Sequence, residues 1–370
     1  MAERTALHGR HLALGGHMVD FAGWELPQQY ASIRDEHAAV RRAAGLFDLS
    51  HMGRVEVTGE GAEAYLQGLL TNDVARLGPG RAQYTLLCRE DGGILDDLVV
   101  YRRSAHALLA VVNASNRDKD LAWMRERLPA GVELEDRTRE VSLMAVQGPL
   151  AGQVLGRLGF DLGGLAPFGF TEEGRLGGRP AMISRTGYTG EDGAEIFVAS
   201  ESAPALWEAL VEAGAPAGLV PCGLGARDAC RLEAALRLYG SDIDEATNPY
   251  EAGLGWVVRM DKGAFVGREA LARVKSRGPA REMVGLRLEG QVVARHGCPV
   301  DAFGGRIGAV TSGTYSFWLG RAIAMAMVQR GKAAPGATVS VEVRGAEHPA
   351  EVTPLPFYRG SVQRPAPAGT

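Results

Sequence analysis

The 370-residue chain predicts an α+β protein of more than one domain, ending in a small β barrel. Three observations carry that prediction. Between residues 53 and 128 the order runs strand, helix, strands, helix, which suits an α+β sandwich better than a doubly wound parallel sheet. Glycine occurs 50 times, far above a typical frequency of about 7%, and the tight turns it permits favour a strand-rich architecture. From Arg281 onward short apolar strands alternate with glycines, as in "GCPVDAFGGRIGAVTSG", the pattern of a separate barrel or roll.

Each element has its own signal. "SIRDEHAAVRRAA" (32–44) reads as a short helix capped by Ser32. "GLFDLSHMGRVEVTG" (45–59) returns to strand character, and "GAEAYLQGLL" (61–70) is helical. "AQYTLLC" (82–88) is a strand that the turn "REDGG" joins to "GGILDDLVVY" (92–101) as a hairpin. "ALLAVVNAS" (107–115) is a further apolar strand. "NRDKDLAWMRERL" (116–128) is an amphipathic helix with Leu121, Met124 and Leu128 on one side. Two more helices are expected over 203–213 and 224–239. The tail "VQRPAPAGT", from about residue 362, is expected to be disordered.

Composition excludes several functions. Apolar residues make up 46%, charged residues 23%, and the net charge is −4, so no basic excess points to nucleic acid. No apolar run approaches the roughly 20 residues of a membrane span, and "MAERTALHGR" lacks the apolar centre of a signal peptide. Cys88, Cys222, Cys230 and Cys298 form no C-x-x-C pair and are expected to be free thiols in a reducing cytoplasm. On the same expectation, "NAS" at 113–115 is not a used glycosylation acceptor. No phosphate-binding loop, H-E-x-x-H or G-x-S-x-G is present. His8 and His11 sit three apart, but in an N-terminus expected to be loose, and no metal is expected.

Three constellations carry possible chemistry. In "GGILDDLVVY" two carboxylates interrupt an apolar strand, where burying one unpaired costs several kcal/mol or forces protonation. Strand periodicity puts Asp97 on one face with Leu95, Val99 and Tyr101, and Asp96 on the other with Ile94, Leu98 and Val100. They are therefore no facing dyad of the glycosidase kind. Either one of them is a single positioned acid, or the pair marks a β-bulge or strand end, solvated or bonded to backbone amides. In "SRTGYTGEDGAEIFV" (184–198) a glycine-broken loop enters a strand with Glu195 and Phe197 on one face. Glu195 is either the exposed side of an edge strand or a bidentate acceptor for the adjacent N–H donors of a heterocycle. In "GLGARDACRLEAALRLYGSDID", Arg227 and Arg231 share a helix face, either solvated over apolar surface or turned to a ligand.

Together and in order, these stretches closely resemble a known family. "MVDFAGWELPQQY" (18–30), "GLFDLSHMG" (45–53), "GGILDDLVVY", "VVNASNRDKD" (111–120), "RTGYTGEDGAE" (185–195), "GLGARDACRLEA" (223–234) and "LYGSDIDEATNPYE" (238–251) are similar to the glycine cleavage T-proteins, tetrahydrofolate-dependent aminomethyltransferases. The likeness runs from about Ala6 through "PFYRG" (356–360). It implies a three-domain fold around a central channel: a ferredoxin-like domain (roughly 50–133 with 224–246), a discontinuous antiparallel β domain, and a C-terminal β barrel from 281. The first two fill residues 1–280.

The resemblance also implies the chemistry. The methylene of an aminomethyl group on the lipoyl arm of H-protein passes to tetrahydrofolate, with the P- and L-proteins as functional partners. Asp97 matches the family's essential aspartate, and Asp96 is its structural neighbour. A preorganised carboxylate stabilises the cation-like carbon between sulfur and nitrogen, or accepts a proton. Glu195 matches the pterin-binding glutamate and Arg227 a folate-contacting arginine. Tyr84, Tyr101, Asn113 and Tyr188 match positions lining the same cavity, Trp256 is read as an aromatic wall, and Tyr358 and Arg359 are placed at the channel mouth. One departure stands out: where the family has Ser-Pro in the C-terminal motif, Ser316 is followed by Phe317 and Trp318, which frees φ in that loop. Two rival readings share parts of the pattern. A folate-dependent demethylase of a small sulfonium or amine is disfavoured by the intact "LDDLVVY" and "SHMG". A non-catalytic folate-binding accessory protein of iron–sulfur assembly is disfavoured because "SRTGYTGEDG" lacks that group's lysine-glycine-cysteine motif.

Overall fold

A computed structural model describes residues 2–361; the expected disordered tail lies outside them. The "GLFDLSHMGRVEVTG" stretch forms two strands in different sheets. Ala44–Asp48, apolar except for its last residue and buried on both faces, lies inside a six-stranded sheet. Gly53–Thr58 lies inside a five-stranded one. The turn between them, with Ser50 and His51 buried, crosses from one domain to the other.

The six-stranded sheet runs in the order Phe170–Leu176, Arg179–Ser184, Gly193–Ala199, Val141–Gln147, Ala44–Asp48, Leu219–Pro221, drawing on sequence far apart. The helices Ala151–Arg157 and Ala203–Gly214 cover one face, closing a core around Trp207, Leu206, Leu155 and Ile196. The five-stranded sheet runs Arg81–Cys88, Ile94–Arg102, Ala107–Val112, Gly53–Thr58, Glu133–Asp136, with every pair antiparallel. With the helices Ala62–Leu69 and Arg117–Glu126, this is the ferredoxin-like order with one strand added at an edge. Its apolar positions face those helices: Val55, Val57, Leu98 and Val100 pack on Leu66, Leu121 and Met124.

The third domain is a closed six-stranded barrel over 281–353. Its strand Arg321–Gln329 shows why the barrel docks. Ala322, Ala324, Ala326 and Val328 fill the barrel, while the alternate residues Ile323 and Met325 pack outward on Leu232 and Phe357.

The Ser32 hydroxyl accepts from the Asp35 amide at 3.0 Å, capping the helix Ile33–Arg42. The expected 224–239 helix ends earlier, at Glu233, because Ala235 turns into the left-handed region at φ 53°. This helix packs on Ile33–Arg42, on the strand Trp24–Gln29 and on the barrel strand Gly305–Ser316. The segment after it reaches the ferredoxin-like sheet, where Ile243, Leu254 and Val257 meet Leu86 and Ile94. The N-terminus is not loose. His11 is fully buried, with its Nε2 2.9 Å from Asp48 Oδ2, which also accepts from Thr5 at 2.7 Å. Burial works against the Asp48 charge, but these donors outweigh it and hold the group at about 2.

One buried ionic cluster ties the domains together. Glu233 Oε2 accepts from His37 at 2.9 Å and from Arg41 at 2.7 and 2.9 Å, and its Oε1 accepts from Ser316 of the barrel. Arg41 also donates to Glu191 at 2.8 Å and to the carbonyl oxygens of Thr189 and Cys230. Glu191 in turn accepts from Ser361. The departure at Phe317–Trp318 sits beside this cluster. Ser316 Oγ accepts from the Leu319 amide at 3.0 Å and so closes the turn without proline, while Phe317 packs on His37 and Trp318 on Tyr358.

The cysteines are free thiols; Cys88, Cys222 and Cys230 are buried and Cys298 half-buried. Burial pushes the Cys88 and Cys222 thiols up and Cys230 to about 12, far from the thiolate a nucleophile needs. Each Cys→Ala variant that folds should keep most of its activity. A folded variant that is inactive at saturating substrates would identify a nucleophile.

Candidate active site

Asp96 and Asp97 lie on opposite faces of the strand Ile94–Arg102. Asp96 is fully buried on the helix side. Its carboxylate accepts from the Asn113 amide at 3.0 Å, from Asn113 Nδ2 at 2.8 Å and from Asn116 Nδ2 at 2.5 Å. Asp97 faces the other way and stays partly accessible. Its carboxylate accepts from Tyr84 Oη at 2.9 Å and from Asn113 Nδ2 at 2.8 Å. Burial, then the Asp96 charge, push Asp97 up to about 7.

The expected face of Asp97 needs one correction. The register slips opposite Leu87 and Cys88, leaving Leu95 as an extra residue. Leu95 therefore packs with Leu98 and Val100, and Ile94 packs with Leu86 and Cys88. A bulge beside the pair and a single inward acid are thus both present. The bulge brings Asp96 to a backbone amide and leaves Asp97 on the opposite, partly accessible face.

Glu195 sits on Gly193–Ala199, which pairs on both sides, so it is not on an edge strand. Its Oε2 accepts from Thr186 Oγ1 at 2.5 Å and from Tyr101 Oη at 3.0 Å, while Oε1 takes no donor among the described residues. Tyr101 is wholly buried between Phe170 and Phe197. The loop before this strand turns at Gly190, φ 83°, a conformation that excludes most side chains.

The two arginines of the helix Leu224–Glu233 part company. Arg231 is buried and spent on structure, donating to Asp228 at 2.8 Å, Asp242 at 2.5 Å and Ser312 at 2.9 Å. Arg227 has no hydrogen-bond acceptor among the described residues; its guanidinium lies 4.5 Å over the Tyr188 ring. Burial lowers its pKa, while Tyr188 and Glu195 work to raise it. Tyr188 Oη donates to the Arg237 carbonyl oxygen, and Tyr188 also feels the charge of Asp97. Tyr84 stacks at 5.9 Å and 25° on Trp256, whose indole is 64% exposed. Thus Asp97, Asn113, Tyr84, Trp256, Tyr188, Arg227, Glu195 and Tyr101 are linked pairwise by hydrogen bonds, ring contacts and charge. Tyr358 lies outside this set, under the Arg41 guanidinium and against Trp318, and Arg359 is exposed.

Sequence reasoning passed over four nearby residues. Thr186 holds Glu195, and Asn116 holds Asp96. Asp120, one turn beyond Asn116, is completely buried. His51 is buried against Phe21, and burial and then Arg227 push it down to about 3, so it is neutral. The i, i+4 spacing of Asn116 and Asp120 was the available signal for that pair. Among the described residues no group of three His, Cys, Asp or Glu side chains is placed to hold a metal ion. No helix there is long and apolar enough to cross a membrane.

An acid poised near neutrality and a half-satisfied carboxylate near a guanidinium with no acceptor among the described residues are groups that can hold a polar ligand and exchange a proton with it. This fold and site define a class of three-domain group-transfer enzymes. Residues 7–262 match the GCVT N-terminal domain, and residues 281–359 match the glycine cleavage T-protein C-terminal barrel domain. The chain belongs to the glycine cleavage T-protein family. It is 48% identical over 361 residues to an aminomethyltransferase of Geobacillus kaustophilus, covering 97% of this chain and 99% of that one. It is 52% identical over 363 residues to one of Streptomyces avermitilis, covering 96% and 97%. The crystal structure of the glycine cleavage system aminomethyltransferase T from Bartonella henselae superposes with a TM-score of 0.91 at 34% identity, covering 98% and 99%.

Proposed function

We infer that the chain is the aminomethyltransferase of a glycine cleavage system. It transfers the methylene of the aminomethyl group on the lipoyl arm of H-protein to tetrahydrofolate, releasing ammonia and dihydrolipoyl H-protein. The observation that carries the reading is the placement of Asp97, a partly accessible acid that burial and the Asp96 charge push up to about 7, held by Tyr84 and Asn113. On this reading the chain works in the cytoplasm beside the P- and L-proteins of the same system.

Tetrahydrofolate supplies the nucleophilic nitrogen that takes the methylene. The chain's own groups fit such a ligand. Glu195 keeps one oxygen open while Tyr101 and Thr186 fix the other, so it can accept adjacent N–H donors of a pterin ring. Arg227, with no hydrogen-bond acceptor among the described residues, can meet an oxygen of the ligand. Tyr188, Tyr84 and Trp256 offer ring faces to flat or apolar surface. Asp97 in its ionised form stabilises positive charge developing on the carbon between sulfur and nitrogen, or takes a proton there. Asn113 fixes the Asp97 carboxylate, and Asp96 fixes Asn113.

The direct test mixes the purified chain with aminomethylated H-protein and tetrahydrofolate. Ammonia and methylenetetrahydrofolate should appear in equal amounts, and no ammonia from a correctly loaded H-protein would overturn the activity. The folate site has its own test. Glu195→Ala should weaken tetrahydrofolate binding by about 1.5–3 kcal/mol, the range for a lost hydrogen bond to a charged group, while turnover at saturating folate falls less. Unchanged affinity by calorimetry would remove Glu195 from the site.

A further inference from the structure

Asp120 stands out among the buried polar groups. It is fully buried in the helix Arg117–Glu126, and among the described residues neither carboxyl oxygen receives an N–H or O–H donor from a side chain or backbone. Its carboxyl abuts that of Asp96. The charged groups around it are Asp96 and Asp97 on the facing strand and Lys119 on its own helix. Lys119 is engaged elsewhere: its ammonium donates to the Leu95 carbonyl oxygen at 2.9 Å, to Tyr239 Oη at 2.9 Å and to Glu245 at 3.3 Å. Two touching buried carboxylates do not both ionise without a cation between them.

We propose that Asp120 is a positioning residue for Asp97: it carries a proton, donates it in a hydrogen bond to Asp96, and so holds Asp96 as one fixed anion that orients Asn113. The proton sits on Asp120 and not on Asp96 because Asp96 already accepts three N–H donors and Asp120 accepts none. Burial and the Asp96 charge act the same way, raising Asp120 to about 11. The relay is short. Asn113 Nδ2 lies 2.8 Å from an oxygen of each aspartate, so the anchoring of Asp96 sets where Asn113 points its hydrogens toward Asp97. The neutral form of Asp120 also spares Asp97 a second neighbouring negative charge, which would push its ionisation above neutral pH.

The inference rests on Asp97 being the ionising acid of the reaction, and its test separates the two. Single-turnover rates and the tetrahydrofolate KM are measured against pH for the wild type, Asp120→Asn and Asp120→Leu. The amide of Asp120→Asn still donates to Asp96, so the acid limb of the rate should stay where it is in the wild type. Asp120→Leu removes the donor, leaves Asp96 a barer anion, and should move that limb up by about half a unit or more with KM unchanged. A wild-type limb in Asp120→Leu overturns the positioning role. A limb moved downward in Asp120→Asn also overturns it, because that variant would then have removed a charge. Should Asp120→Leu fail to fold, infrared difference spectra of wild type against Asp120→Asn decide the matter. A protonated-carboxyl band present in the wild type from pH 5 to about pH 9, absent from Asp120→Asn, supports the proposal; carboxylate bands in its place overturn it. The infrared arm needs no turnover, so a failure of the Asp97 assignment, seen as an active Asp97→Asn, is told apart from a failure of this one.

Discussion

Asp97→Asn should lower kcat by roughly 100-fold or more, about 2.7 kcal/mol of transition-state stabilisation. The substitution keeps the shape and most of the hydrogen bonding of the side chain and removes its negative charge. Tetrahydrofolate affinity should change little, because the ground state makes less use of that charge than the transition state does. The pH dependence follows from the raised acidity constant. Asp97 is charged only above about 7, so the wild-type rate should climb as pH rises through neutrality, and the residual rate of Asp97→Asn should lose that limb. Stability runs in the opposite sense. An acid whose folded pKa lies above its unfolded value of 3.8 loses native stability as pH rises between the two, so at pH 8 Asp97→Asn should melt no lower than the wild type. Asp96→Asn should behave differently. It replaces the acceptor of three N–H groups in a fully buried position, so stability should fall and kcat should drop only modestly. An inactive Asp96→Asn beside an active Asp97→Asn would reverse the assignment of the two acids.

The largest effect on stability is expected at Glu233, not on the strand that carries Asp97. Glu233→Leu strips His37, Arg41 and Ser316 of their acceptor and leaves Arg41 buried with Glu191 as its remaining carboxylate. Removing one partner of a buried ion pair costs about 3–5 kcal/mol. The loss should appear in denaturant unfolding as a lower midpoint. The cluster joins the helix Ile33–Arg42, the loop before Gly193–Ala199 and the barrel, so the barrel should also become more open to proteolysis. Glu233→Gln keeps acceptors but no charge and should fall between the two. The pH sense is fixed as well. Burial opposes the Glu233 charge, but the His37 hydrogen bond and Arg41 outweigh it and lower its pKa. Its contribution is therefore present above the usual carboxylate range and lost as pH falls through the lowered value. A Glu233→Leu midpoint equal to wild type at neutral pH would show that the cluster is balanced by its own desolvation.

Local pattern alone was enough for much of this protein. Ser32 before "IRDEHAAVRR" marks a capped helix, "LLCREDGGILDDL" marks a hairpin, and the two-residue period of a strand separates Asp96 from Asp97. The ordered motifs, from "SHMG" to "PFYRG", were sufficient to indicate the family and its three domains. These features depend on neighbours a few residues away, and a sequence displays such neighbours directly. What the tertiary structure decided depends on groups far apart in the chain. Arg227 and Arg231 share one helix face and one residue type, yet Asp242 and Ser312 claim Arg231, while Arg227 meets the Tyr188 ring and has no hydrogen-bond acceptor among the described residues. His37 meets Glu233 across 196 positions, so no spacing rule reveals the pair. The bulge at Leu95 arises from pairing with Leu87 and Cys88, and its own residues do not announce it. Above all, Asp96, Asp97 and Asp120 are the same side chain three times over. The protonation of Asp97 and Asp120 is set by burial, by which donors reach each oxygen, and by the nearness of Asp96, quantities that exist only once the sheet and the helix have packed together.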